Sequence, residues 1–114
     1  MVITKLYTDE DGKSYFEDIE CGHETQQPLG WYSKKFPVSG IMFRDFEPGL
    51  VYDKHNAPQP QYIIYLEGEV EVIASGGETR RFKQGNVLFA TDTIGEGHIS
   101  KILTKGRSVI VTME

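Results

Sequence analysis

Gly49-Leu50-Val51-Tyr52-Asp53-Lys54-His55-Asn56-Ala57-Pro58-Gln59-Pro60-Gln61-Tyr62-Ile63-Ile64-Tyr65-Leu66-Glu67-Gly68 is the stretch that decides how this chain folds. Gln61 to Leu66 is a β-prone run rich in Tyr and Ile, and Asn56-Ala57-Pro58 reads as the turn before it. Glu67-Gly68 marks a tight connection or bulge. In Glu69-Val70-Glu71-Val72 strict alternation puts the valines on one face and the glutamates on the other, as in a half-buried strand. Residues of like parity share a strand face, so Asp53, His55 and Ala57 point one way if that segment is extended. Gln61, Ile63 and Tyr65 then form an inward row on the next strand, with Tyr62 and Ile64 facing out.

The same pattern continues in both directions. Gly76-Gly77 supplies a hairpin turn into Glu78 to Phe82. Asn86 to Ala90 is a short buried strand, Asp92 to Gly97 a turn cluster, and His98 to Thr104 and Ser108 to Thr112 are strands around a turn at Lys105-Gly106. Upstream, Ser14 to Glu20 and Val38 to Phe46 are strand candidates, Gln26 to Gly30 is a loop, and Cys21 to Phe36 has no clear period. With 12 glycines and 5 prolines between short runs, this predicts an all-β fold of about eight to ten strands, a sandwich or closed barrel.

A length of 114 residues suits one domain. Residues 1–36 would supply an N-terminal arm and strands contributing to the barrel or to a dimer contact, and residues 37–114 the barrel core. The net charge of −5 and scattered basic residues argue against a nucleic-acid partner. The N-terminus turns acidic before any apolar run of signal-peptide length, and no stretch approaches a membrane span. Cys21 is the single cysteine, which rules out an internal disulfide and suits a cytoplasmic location. The outward row Tyr62, Ile64 and Leu66 needs cover, which predicts a homodimer; Trp31 and Tyr32 suit a barrel cap or subunit contact.

The stretch from Gly49 to Gly68 resembles the first motif of the cupin superfamily. There a glycine is followed after five residues by His-x-His, then by Glu, then by Gly. His55 stands at the first histidine, Ala57 at the second, Gln61 at the glutamate and Gly68 at the closing glycine. The second motif, Gly, then Pro-x-Gly-x-x-His, then Asn, resembles Gly85 and Thr93-Ile94-Gly95-Glu96-Gly97-His98. Thr93 takes the proline place, seven residues rather than five follow Gly85, and Ile102 stands where the family often has Asn. The resemblance implies a cupin double-stranded β-helix, or jelly-roll barrel, like that of small single-domain bacterial cupins. It also implies a metal position at His55, Gln61 and His98, with two of the three ligand types in the first motif changed.

Parity agrees with the motifs, because His55, Gln61, Tyr65 and His98 would converge on one ligand pocket with apolar walls. Two imidazoles and a glutamine carbonyl suit a weakly held divalent transition metal such as zinc, nickel, iron or manganese, although Gln61 brings no charge. Without metal, the histidines would hydrogen-bond to ligand, water or each other. Asp92 and Glu96 flank His98, either as acid or base at the pocket mouth or simply as turn residues. Asp53 is a candidate for orienting His55, or a solvated loop carboxylate, and His23 reads as a surface residue. Three functions stay open: a barrel that binds a small organic molecule, a metal-dependent oxygenase or isomerase on a small organic substrate, and an interaction module with a vestigial pocket.

Overall fold

The computed structural model describes all 114 residues as twelve strands and no helix. They are β1 (Val2–Thr8), β2 (Ser14–Glu20), β3 (Thr25–Gln27), β4 (Gly30–Tyr32), β5 (Gly40–Phe46), β6 (Val51–His55), β7 (Gln61–Glu67), β8 (Val70–Ala74), β9 (Thr79–Phe82), β10 (Val87–Ala90), β11 (His98–Ile102) and β12 (Gly106–Thr112). No helix is long and apolar enough to cross a membrane.

Ten strands form two facing sheets. The larger runs β2-β1-β10-β7-β12-β5 and the smaller β6-β11-β8-β9, while β3 and β4 pair separately as a hairpin. The alternation in β8 points Val70, Val72 and Ala74 inward, where they meet Leu6, Phe16, Ile63, Tyr65, Phe82 and Leu88. This packed region fills the space where β8 and β9 face β1, β2, β10 and part of β7. Gly68 makes the β7–β8 connection with a positive φ of 85°. A Cβ there would lie 2.7 Å from the Lys105 carbonyl, so the turn needs glycine twice over.

Strand β1 lies inside the larger sheet, parallel to β10 and antiparallel to β2. Leu6 packs in the core, whereas Ile3 faces the other side, beneath residues 21–38. Cover on both faces removes the alternation that would have marked the strand. The segment without a period folds as the β3–β4 hairpin and its flanks over the outer face of the larger sheet. Phe36 lies 6.1 Å, ring to ring, from Tyr62, and Met1, Trp31 and Val38 join Tyr62 and Ile64 around an apolar cavity of about 350 Å³. Part of the outward row is thus covered within the chain, while Leu66 remains exposed.

Candidate functional site

The other half of the barrel is hollow. Where β6 and β11 face β5, β12 and β7, the inward positions include the small residues Ala57, Ala90 and Ser100, which leave a cavity of about 480 Å³. Ile63, Ile102 and Ile110 supply apolar wall, and His55, Gln61, His98 and Arg44 supply polar groups. Three of the four residues expected in the pocket are therefore together. Tyr65 is the correction. It is 1% exposed, packs in the core with its ring 5.4 Å from Phe82, and takes no part in the cavity wall. Parity gave its face correctly, but two residues beyond Ile63 the inward row has passed into the packed half.

His55 and His98 are direct cross-strand partners, with ring centroids 4.3 Å apart. The register then slips: His98 pairs with His55, but Ser100 pairs with Tyr52, so three steps on β6 match two on β11. This bulge breaks the parity of β6. It brings the Tyr52 ring flat against His55, 3.5 Å away and 3° from parallel. Asp53 does not share the His55 face. Its carboxylate accepts from the Lys54 N–H, and its backbone carbonyl, 2.8 Å from His55 Nδ1, orients the imidazole.

His98 is held more firmly. Its Nδ1 lies 2.5 Å from Oδ2 of Asp92, and both side chains are buried, Asp92 completely. Asp92 is thus no ordinary solvated turn residue. Its backbone carbonyl accepts from the Ala57 N–H and from Asn56 Nδ2, each at 3.2 Å, and Asn56 also donates to the Gly95 carbonyl. The β6–β7 turn is thereby laced to the 91–97 loop. Gly97 completes the joint with a φ of 73°, since a Cβ there would collide with the His55 carbonyl. Glu96 points outward to an exposed pair with Lys54. His23 stacks on Trp31 in the arm, away from the cavity.

A carbonyl or a carboxylate only accepts, so both histidines donate through Nδ1–H and, when neutral, carry the lone pair on Nε2. The result is two adjacent bases with fixed tautomers on an apolar wall. Burial pushes the His55 imidazole below its ordinary 6.5 and His98 adds to this, against the opposite pull of the Asp53 carbonyl and the Asp92 carboxylate. A folded value below the unfolded one means that the unfolded chain takes the proton first as pH falls. The stability from neutral His55 is therefore complete above 6.5 and lost as pH drops through the folded value. We expect an NMR titration to give His55 a midpoint below 6.5, with the melting temperature declining across the same window. A midpoint at or above 6.5 would contradict the burial.

The cupin motifs imply a metal here, so the donors can be tested against one. His55 and His98 offer Nε2 and Gln61 offers a neutral carbonyl, but no third His, Cys, Asp or Glu joins them to form a metal-holding group. The Asp92 carboxylate is engaged with His98 Nδ1. Two imidazoles and an amide fall short of the donor sets that retain a transition ion.

Sequence reasoning missed two residues at this site. Arg44 enters the cavity from β5, and the signal was its parity, since it shares a face with Phe46, which is buried. Tyr52 left no signal, because only the bulge brings it beside His55.

No family model matches this chain. Over 70 residues it is 31% identical to the cupin-domain-containing oxidoreductase virC of Hypocrea virens; the match takes in 61% of this chain and spans only 34% of that protein's length. Its structure is similar to an RmlC-like cupin family protein with a double-stranded β-helix fold from Methanocaldococcus jannaschii, with TM-score 0.53 and 16% identity over 83% of this chain and 91% of the other. It is likewise similar to a conserved protein of unknown function from Streptococcus pyogenes, with TM-score 0.54 and 18% identity over 72% and 70% of the two chains. At these identities the structural likenesses speak for the fold alone. Sequence frame, helix-free architecture and structural likeness agree on the fold: this chain is a small all-β barrel with the cupin double-stranded β-helix architecture.

Proposed function

We propose that this barrel binds a small organic molecule in the cavity lined by His55, Gln61 and His98. The observation that carries the reading is the cavity of about 480 Å³, with apolar walls and two imidazoles whose Nδ1 atoms are already engaged. Such a site offers a ligand two acceptor nitrogens and one amide at fixed positions, with apolar surface for the remainder. A divalent ion offered to the pocket would find the same two nitrogens and would be held weakly. The similar fungal protein is named an oxidoreductase, and a metal-dependent oxygenase or isomerase is the alternative function. The binding reading takes precedence because the donor set here is short of ligands.

Pairing of two copies belongs to the same proposal, since Ile41 and Phe43 on β5 and Val51 and Tyr52 on β6 leave apolar surface exposed. We take the compartment to be the cytoplasm, in keeping with the lone free Cys21. Native mass spectrometry of protein purified without chelator tests these points together. The expected result is a species at twice 12.9 kDa carrying a small organic adduct. The adduct should diminish in His55→Ala, which removes an acceptor without breaking the buried Asp92–His98 pair. Bare protein under all gentle conditions would count against the ligand, and a monomer against the pairing.

A further inference from the structure

Of the four arginines, Arg44 alone has no carboxylate partner. Arg80 pairs with Asp18 and Glu78, Arg81 with Glu71 and Arg107 with Glu67, all toward solvent. Arg44 instead turns into the barrel from β5, half-buried on the cavity wall. Its Nε–H donates to Ser108 Oγ at 3.0 Å, its guanidinium lies 5.2 Å from the Phe46 ring, and its Nη2 is buried with no hydrogen-bond partner. Asp45 follows it in the chain and borders the same cavity, yet no carboxylate comes within ion-pair distance of Arg44. The Tyr65 phenol lies within hydrogen-bonding reach of the guanidinium, but burial pushes it up to about 12 against the opposing pull of Arg44, so it stays neutral and supplies no counter-charge.

A guanidinium drawn out of water without a counter-charge is costly, and a face of Phe46 offsets only part of that cost. The uncompensated charge borders the same cavity as His55, Gln61 and His98. We propose that the cavity takes a small organic monocarboxylate, with its carboxylate on Arg44 and its apolar part along Ile63, Ile102 and Ile110. The proposal rests on the reading of this cavity as a ligand site and names the class of ligand. A monoanion is favoured over a phosphate because Arg44 is the only fixed cation on the wall, with no lysine beside it. A planar carboxylate also suits the fork of a single guanidinium.

Matched probes test this: benzoate against benzyl alcohol, and hexanoate against hexan-1-ol, titrated at constant ionic strength into the wild-type chain and Arg44→Gln. The expected result is that each carboxylate binds wild type at least tenfold more tightly than its alcohol, and that this preference disappears in Arg44→Gln. The Nε–H resonance of Arg44 in the wild-type protein should also shift with benzoate and not with benzyl alcohol, a readout that needs no variant to fold. A preference retained in Arg44→Gln, or an Arg44 resonance indifferent to benzoate, would overturn the assignment. Binding of the alcohols alone would overturn the carboxylate class and leave the cavity as a ligand site. Binding of neither class would remove both readings.

Discussion

Replacing Asp92 with alanine is expected to cost about 3 kcal/mol of folding stability, near the lower end of the cost of breaking a buried pair by removing one partner. Asp92 is fully buried and His98 is 6% exposed, so solvent cannot replace the lost acceptor. His98 would be left with a buried Nδ1–H and nothing to receive it, a penalty of about 1–3 kcal/mol by itself. Loss of the carboxylate also loosens the loop that holds Ala57 and Asn56 through the Asp92 carbonyl. At roughly 4 °C per kcal/mol for a domain of this size, the melting temperature should fall by about 12 °C. Asp92→Asn keeps an acceptor oxygen and should cost only about 1 kcal/mol, the net worth of an ordinary hydrogen bond. Because the Asp92 charge helps hold the His55 proton, His55 should titrate lower still in Asp92→Asn. Urea denaturation of the three proteins decides the matter. Equal losses for alanine and asparagine would mean that the acceptor on His98 is not what Asp92 supplies.

The contrast between Asp92 and the other pocket residues separates what a sequence can carry from what it cannot. His55, Gln61 and His98 were legible because strand parity and motif spacing both act within a few residues, and the cross-strand register of β6 and β11 then placed the two imidazoles together. The β7–β8 and β8–β9 turns were legible for the same local reason, through Gly68 and Gly76-Gly77. Asp92 was legible only as a residue flanking His98, an acid or base at the pocket mouth or an ordinary turn aspartate, and nothing local foretold its burial against the imidazole. Its burial comes from the closure of the 91–97 loop on Asn56 and Ala57, a contact spanning more than thirty positions in the chain. Tyr65 shows the complementary limit, because parity assigns a face and says nothing of where along it the cavity ends. The bulge in β6 could not be foreseen either, and it moved Asp53 off the pocket face while bringing Tyr52 onto His55.

The double substitution Ala57→His with Gln61→Glu is expected to tighten Zn²⁺ or Ni²⁺ binding at least 100-fold, about 2.7 kcal/mol, over the wild-type chain. Ala57 and Gln61 border the same cavity as His55 and His98, so a longer side chain at either position starts from the right wall. The new imidazole would raise the nitrogen donors from two to three. The new carboxylate would supply the negative charge that the neutral amide lacks, and in a partly desolvated cavity that charge offsets the dication more strongly than it would in water. The existing histidines need no rearrangement of tautomer, because the Asp53 carbonyl and the Asp92 carboxylate already hold Nδ1–H and leave Nε2 free. Ala57 is 3% exposed, so Gln61→Glu alone serves as the variant that does not disturb a packed position and should show part of the gain. Titration calorimetry on the wild type, both variants and His55→Ala in each background measures the effect. If the double variant folds and binds no more tightly, or if removing His55 leaves its affinity unchanged, the four positions do not converge on one point in the cavity, and the cupin motif frame survives in this chain as a folding pattern without its metal geometry.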